Sequence, residues 1–231
     1  MFKADIATLF PQMCENVLHC SILGRAIEFN LVDLKVHNIR DFSKDKHKKV
    51  DDYPYGGGKG MLLKAEPIFN CYRHVLQKRK NLRVIYLSPK GKLLTQKRII
   101  EFSKIEEESI FLLCGHYEGI DQRVIDLIVD EEISIGDYIL TGGELGALVM
   151  LDAIVRMVPG VLSSSECYEK ESHYNNLLEY PQYTRPKIWN NMEVPDILLS
   201  GHHKNIEKWQ QEKALEITKE KRPDMLEQSE N

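Results

Sequence analysis

Residues 113–156, LCGHYEGIDQRVIDLIVDEEISIGDYILTGGELGALVMLDAIVR, form the part of the sequence that decides the fold. Two glycine-bearing turns lie in this segment, at 114–119 and 135–143, and each follows an apolar run. Glycine lacks a Cβ, so a backbone that turns on glycine can approach a ligand closely. The two turns predict a ligand held by main-chain groups, with ordinary turns between strands and helices as the alternative.

The rest of the chain alternates between strand-like and helix-like segments. The periodicity of its apolar residues predicts strands at 2–9, 31–39, 82–87 and 109–114, and helices at 65–80, 96–102 and 142–157. This alternation predicts an α/β domain with a largely parallel sheet. Ligands of such sheets bind at the carboxyl ends of the strands, which here fall at Ser88-Pro89, Gly115 and Gly136.

The helix at 142–157 is apolar on nearly every side and ends at Arg156. Such a helix is buried or lies at a subunit interface, and a cation at its end needs a partner or a function. The polar, tyrosine-containing segment that follows includes Glu171 and is typical of a linker that orders on binding. For both charged residues, a surface ion pair is the alternative.

The change from an apolar helix to a polar segment after it indicates the domain organisation. We predict a first domain at 1–160, a linker at 161–185 and a small helical domain at 186–231. The main helix of the last domain is predicted at 206–218, and a second helix is predicted to begin at 222–224.

The overall composition is that of a globular chain without a strong charge bias, with 42% hydrophobic residues and a formal charge of −4. Nucleic-acid-binding domains are often strongly basic, so a nucleic-acid site here would rest on local basic patches. The five cysteines show no C-x-x-C pattern, which favours reduced thiols. We find neither a signal peptide nor an apolar run of roughly 20 residues, and expect a cytoplasmic protein that does not enter a membrane.

The glycine-rich run GGGKG at 56–60 lacks the G-K-[ST] ending and the preceding strand of a nucleotide-triphosphatase loop. A backbone that lets a flat base approach fits this run better. Lysines just upstream, including Lys46 and Lys48, would attract phosphate, with a solvated loop as the alternative. The histidines show no metal-ligand spacing, no nucleophile elbow is present, and Cys114 fits a buried thiol better than a nucleophile.

Six separate segments resemble one family. In chain order they are RDFSKDKHKKVDDYPYGGGKGM, YLSPKG, LCGHYEGIDQRV, EISIGDYILTGGELGALVMLDAIVRMVPGVL, LLEYPQYTRP and VPDILLSGHHKNIEKWQ. Together they cover nearly the whole chain and resemble the bacterial tRNA (guanine-N1) methyltransferases of the TrmD family. The resemblance implies a SPOUT-class α/β domain with a deep trefoil knot, an obligate homodimer with its active site at the subunit interface, and S-adenosylmethionine as methyl donor. A magnesium requirement is suggested by the family alone.

The resemblance also implies which residues hold the donor, since the family binds it through backbone groups at three loops. By position these are Tyr86, Leu87, Ser88 and Pro89; Gly115, Tyr117, Glu118 and Gly119; and Ile135, Gly136, Tyr138, Leu140, Thr141, Gly142 and Gly143. The three loops coincide with the strand ends that the alternation of elements indicates.

The reaction of the family requires a base, because guanine N1 carries a proton at neutral pH. In the family this base is an aspartate of the linker, contributed across the dimer, and an arginine stabilises the negative charge that builds on O6. The resemblance places Arg156 at the arginine and Glu171 at the aspartate. Glu171 departs from the family pattern by one methylene, and the neighbouring His173 and Asn176 depart as well. Glu118 is the second candidate for the base.

The substrate base is expected to be splayed out of its stem-loop and gripped on its Watson–Crick edge. Gly58, Lys59 and Gly60, together with Glu118, are the candidates for this grip. Lys59 and His116 also differ from the commonest family residues. Contacts to tRNA phosphates are predicted for Lys46 and Lys48 in the first domain and for Lys204 and Lys208 in the last.

We therefore predict methyl transfer from S-adenosylmethionine to N1 of guanosine 37, the nucleotide 3′ of the anticodon. A SPOUT enzyme for another RNA position is one alternative. A non-catalytic RNA-binding dimer is the other, and the departure at Glu171 motivates it.

Overall fold

The computed structural model describes residues 1–105 and 108–227. The chain divides into two compact units, Met1–Ser163 and Ser164–Asn231. The last four residues of the predicted helical domain, 228–231, lie outside the described residues. The separate linker at 161–185 stays a prediction.

The first unit alternates strands with helices. In chain order its elements are β1 (Phe2–Thr8), α1 (Pro11–Leu18), α2 (Ser21–Glu28), β2 (Val32–Asn38), a 3-10 turn (Ile39–Phe42), β3 (Asp51–Asp52), β4 (Leu62–Leu63), α3 (Ala65–Leu76), β5 (Leu82–Leu93), α4 (Gln96–Ser103), β6 (Ser109–Cys114), α5 (Gln122–Ile128), β7 (Glu131–Ser134) and α6 (Glu144–Val155).

Five of these strands form the central sheet, in the order β2-β1-β6-β5-β7, and every pairing in it is parallel. The predicted α/β class with a mostly parallel sheet is therefore confirmed, while the knot stays a prediction. The middle strand, β6, reads SIFLLC and is buried at all six positions, as expected for a parallel strand covered on both faces. Because parallel strands end at the same edge, β6 and β7 direct their following loops to one place, beside residues 86–90 of β5.

Two local predictions were wrong. The residues Ser88-Pro89-Lys90-Gly91 predict a turn after the strand at 82–87, but they lie inside β5, which continues to Leu93. The pairing of β5 with β7 shifts register between Leu87 and Lys92. An irregularity of this kind lets a strand bend locally and then continue its pairing. The apolar positions after the first strand, Val17 and Ile22-Leu23, predict a helical segment that stops near Gly24, but α2 runs on to Glu28 because its buried face continues to Ala26.

Helix α6 is shorter than the predicted 142–157 and buries most of its surface. Among its apolar residues, Leu145 and Val149, one helical turn apart, are the exception, with about half of each residue's surface exposed (47% and 50%). The helix is therefore part of the core and also presents an apolar stripe on the surface of its unit.

The second unit contains α7 (Glu166–Glu169), the hairpin strands β8 (Ile188–Trp189) and β9 (Met192–Glu193), a 3-10 turn (Asp196–Leu199), α8 (His203–Lys221) and α9 (Asp224–Glu227). Helix α8 exceeds the predicted 206–218 at both ends. The hairpin was not predicted, since two-residue strands are too short to show periodicity. Both residues of its Asn190-Asn191 turn have positive φ, as a two-residue hairpin turn requires.

A buried network of charges joins β1 to β2 and to the residues after α3. The Arg79 guanidinium donates from Nε to Asp5 Oδ2 at 2.7 Å and also pairs with Asp33. The second Asp5 oxygen lies 2.6 Å from His37 Nε2. Asp5 and Arg79 are buried, so each charge depends on the other for its compensation.

We predict that Asp5→Ala lowers the free energy of unfolding by about 3–5 kcal/mol, because Arg79 would remain buried without its buried carboxylate partner. Urea unfolding followed by circular dichroism measures this. Asp41→Ala, which removes an exposed partner of Lys48, is the control and should change the unfolding midpoint little. Equal effects of the two substitutions would contradict the prediction.

Candidate functional site

A cavity of about 340 Å³ lies where the loops after β6 and β7 meet the outer half of β5. All fifteen residues predicted for donor binding line it: Tyr86, Leu87, Ser88, Pro89, Gly115, Tyr117, Glu118, Gly119, Ile135, Gly136, Tyr138, Leu140, Thr141, Gly142 and Gly143. The structure thus brings three separate sequence segments together at one place, and that place is the carboxyl edge of the sheet.

Main-chain contacts hold the second and third loops together. The Gly143 N–H donates to the Gly115 carbonyl oxygen at 3.0 Å, and His116 and Gly142 form an isolated antiparallel bridge. Gly143 also caps the N-terminus of α6. The end of β6 and the start of α6 are therefore one continuous wall of the cavity.

Several lining residues were missed by sequence reasoning: Lys90, His116, Ile120, Gln122, Ile125, Glu132, Ile133, Ser134, Ile139 and Gly146. Most lie on β7, on α5 or at the ends of the loops, where the fold alone decides which side faces inward. The local signal for Glu132 and Lys90 was their position beside predicted loop residues. Two carboxylates, Glu118 and Glu132, thus line the cavity together with one lysine.

Tyr86 is buried in the cavity wall. Burial, and in smaller part the charge of Glu132, raises the pKa of its phenol. The hydroxyl therefore stays protonated at neutral pH and can donate a hydrogen bond into the cavity.

The glycine-rich run at 56–60 meets the cavity at Glu118. Gly60 has a φ of +96°, and a Cβ at this position would lie 2.6 Å from Glu118 Oε1, so only glycine fits. The Glu118 N–H donates to the Met61 carbonyl at 3.0 Å. Of the predicted guanine-binding residues, Gly60 and Glu118 are thus adjacent, and Gly58 and Lys59 lie beside them on the exposed part of the loop.

The predicted phosphate-binding lysines are all exposed. Lys48 already pairs with Asp41 at 2.6 Å, while the described residues offer Lys46 no ion pair. In the second unit, Lys208 lies 3.8 Å from Glu212, and Lys204 precedes it on the first turn of α8. Acidic neighbours therefore reduce the net positive charge of this helix.

A family model described as tRNA (Guanine-1)-methyltransferase TrmD matches residues 2–228. The chain belongs to this family. Three proteins named tRNA (guanine-N(1)-)-methyltransferase are among its relatives. That of Ruminiclostridium cellulolyticum is 54% identical over 225 residues, 97% of this chain and 96% of its own length. That of Alkaliphilus metalliredigens is 54% identical over 97% and 91%, and that of Clostridioides difficile is 52% identical over 98% of both.

The two residues assigned to chemistry by the family pattern lie in different units. Arg156 is the C-cap of α6, is half-buried, and donates its backbone N–H to Asp152 O at 3.3 Å. Glu171 follows α7 in the second unit, is also half-buried, and donates its backbone N–H to Tyr168 O at 3.2 Å. Their meeting in one site stays a prediction.

Within residues 1–105 and 108–227, no group of three or more histidine, cysteine or acidic side chains is placed to hold a metal ion. No helix in the same part of the chain has the length and apolar character needed to cross a membrane.

Cys114 ends β6 directly behind the cavity and is fully buried. Burial, with a smaller contribution from Glu144, raises the pKa of its thiol well above the usual value. The thiolate, which is the nucleophilic form, is therefore absent at neutral pH. The sequence prediction of a buried packing thiol is confirmed.

We predict that the native protein exposes two reactive thiols per chain, Cys20 and Cys167, while Cys14, Cys71 and Cys114 stay inert. Burial raises the pKa of Cys14 to about 12, so at pH 8 only about one thiol in 10⁴ is ionised. Titration with Ellman's reagent before and after denaturation measures the two groups. Rapid reaction of a third thiol in the native protein would contradict the assignment.

Proposed function

We propose that the protein transfers the methyl group of S-adenosylmethionine to N1 of guanosine 37 in tRNA. Membership of the family carries the general activity, tRNA (guanine-N1) methyl transfer. The observation that carries the proposal for this site is the convergence of three loops on one cavity, with all fifteen residues that the family pattern assigns to the donor.

The cavity suits a donor of this chemistry. Its walls combine apolar side chains for a flat adenine ring, such as Leu87, Ile133 and Ile139, with backbone groups of the glycine turns. Glu118 and Glu132 supply negative charge for a ligand that carries a sulfonium and an ammonium group. When bound, S-adenosylmethionine supplies an electrophilic methyl group, so the task left to the protein is to activate guanine N1.

Activation of N1 requires removal of its proton, and we assign this step to the Glu171 carboxylate as general base. As the proton leaves, negative charge moves to O6, where the Arg156 guanidinium stabilises it. Gly60 and Glu118 are adjacent at the mouth of the cavity, and we assign them to the Watson–Crick edge of the flipped guanine. Glu118 remains the alternative base.

We further propose that the active unit is a homodimer, with Glu171 reaching the cavity of the other subunit. Leu145 and Val149 support a subunit contact through α6, because an apolar stripe of this kind is costly to leave in water. Lys46, Lys48, Lys204 and Lys208 are assigned to tRNA phosphates. None of the five cysteines forms a disulfide, which fits a reducing compartment, and we place the reaction in the cytoplasm.

The assay that tests position and base uses tRNA transcripts with G or A at position 37 and radiolabelled S-adenosylmethionine. We expect transfer to the G37 transcript only, because adenine has no N1 proton to remove and no O6 on which charge can build. Equal transfer to both would reject the guanine-N1 assignment at this position. Transfer to neither, with donor binding intact, would instead support an RNA-binding dimer without catalysis.

We predict that Glu171→Gln lowers the single-turnover rate by about 10²–10⁴-fold, since the amide cannot accept the N1 proton. Affinity for S-adenosylhomocysteine should stay near the wild-type value, because the donor loops lie elsewhere. Rapid quench measures the rate and calorimetry the affinity. Glu166→Gln, an exposed carboxylate of the same segment, is the matched control. A near-normal rate for Glu171→Gln would transfer the role of base to another group.

A further inference from the structure

Glu144 is a buried carboxylate beside the cavity that the proposed mechanism does not use. It begins α6, directly after Gly143, and only 4% of its surface is exposed. One of its oxygens, Oε1, accepts a hydrogen bond from the Thr8 hydroxyl at 2.6 Å. Burying a carboxylate at this depth is costly unless further hydrogen bonds or opposite charges stabilise it. The positive end of the dipole of its own helix supplies part of this stabilisation.

His116 lies in the loop after β6 and pairs with Gly142 in an isolated antiparallel bridge. Its Nδ1 is buried, and the described residues offer that atom no hydrogen-bond partner. The ring is held between two aromatic side chains, with centroid distances of 4.9 Å to Phe10 and 4.7 Å to Tyr117. The imidazole is therefore fixed in place while one polar atom remains unsatisfied, which is costly.

Gly142 shows that these two groups converge. A Cβ at this position would collide with Glu144 Oε2 and would lie 2.8 Å from His116 Nδ1. Both atoms therefore border the space that a side chain at position 142 would fill, and only glycine leaves that space open between the acceptor and the unsatisfied ring nitrogen. Gly142 belongs to the loop at 140–143, which lines the cavity.

We propose that His116 is a positioning residue for the methyl donor. Its Nδ1–H donates to the Glu144 carboxylate across Gly142 when the donor is bound, and this contact clasps the loop at 140–143 to the loop at 115–119. The inference rests on the proposed function, because it assigns the clasp to the donor cavity.

The hydrogen-bonding chemistry defines the state of the ring. An ionised carboxylate can only accept, so the clasp requires the proton of the imidazole to be on Nδ1. The tautomer with its proton on Nε2 would direct a lone pair at the carboxylate. The other titratable groups near Glu144 are Cys14 and Cys114, and burial together with Glu144 raises the pKa of both thiols. Both thiols therefore stay neutral, so neither places a second negative charge beside the Glu144 carboxylate.

Two substitutions of His116 separate the roles of its nitrogens. Asparagine places an amide N–H near the position of Nδ1, whereas glutamine extends its amide toward the position of Nε2. We expect His116→Gln to raise the KM for S-adenosylmethionine and the Kd for S-adenosylhomocysteine by about tenfold, the usual effect of losing one hydrogen bond to a charged group. His116→Asn should retain most of the affinity, and in both variants kcat should change less than KM.

A double-mutant cycle with Glu144→Gln tests the partner. If the two side chains act through one contact, His116→Gln combined with Glu144→Gln should weaken donor binding no more than the stronger single change. His19→Gln, which removes an exposed histidine after α1, is the matched control and should leave binding unchanged. Melting temperatures establish that each variant is folded.

If His116 has a purely structural role, both His116 variants should bind the donor equally weakly and melt at lower temperatures. This result overturns the clasp. Wild-type affinity of His116→Gln, or additive losses in the cycle, overturns it as well. If the wild-type protein does not bind S-adenosylhomocysteine, the proposed function itself is rejected. If the wild-type protein binds it and transfers the methyl group, but His116→Gln keeps the wild-type affinity, only the clasp is rejected.

Discussion

The hydrogen bond from the Gly143 N–H to the Gly115 carbonyl is the contact on which the candidate site depends. It fastens the start of α6 to the end of the central strand β6, and the walls of the cavity form around it. The contact is available because parallel strands deliver their loops to a common edge. It also brings backbone groups of the glycine turns to the ligand space, next to side chains such as Leu87 and Ile133.

Charge is distributed around this frame in two layers. Glu118 and Glu132 face the cavity and suit a cationic ligand. Behind them Glu144 is buried against Thr8, and its field acts on the thiols of Cys14 and Cys114. A charge at this depth is stable only because helix α6 begins at it and a hydroxyl donates to it. The wall of the cavity is therefore stiff, and its contacts are polar as well as apolar.

The second unit has a different character. Its buried surface is small, its helix α8 alternates lysine with glutamate, and its hairpin leaves Trp189 and Met192 exposed. The phosphate contacts proposed for this unit therefore rest on individual lysines, such as Lys204 and Lys208, whose charge neighbouring glutamates partly offset. The general base assigned to it, Glu171, lies directly after α7. The proposed chemistry is thus divided between the two units, with the donor cavity and Arg156 in the first and Glu171 in the second.

The sequence by itself determined the fold class, the main elements and the family. Apolar runs such as SIFLLC and the glycine turns at 114–119 and 135–143 carry their own physical signal, since period and side-chain volume are local properties. Only the tertiary structure decided that β5 continues past the expected turn, that Gly60 abuts Glu118, and that Glu144 and His116 both face Gly142. Each of these features depends on residues that are distant in sequence or that face each other across a turn. No local pattern in the sequence determines which side of a strand or helix faces such a partner.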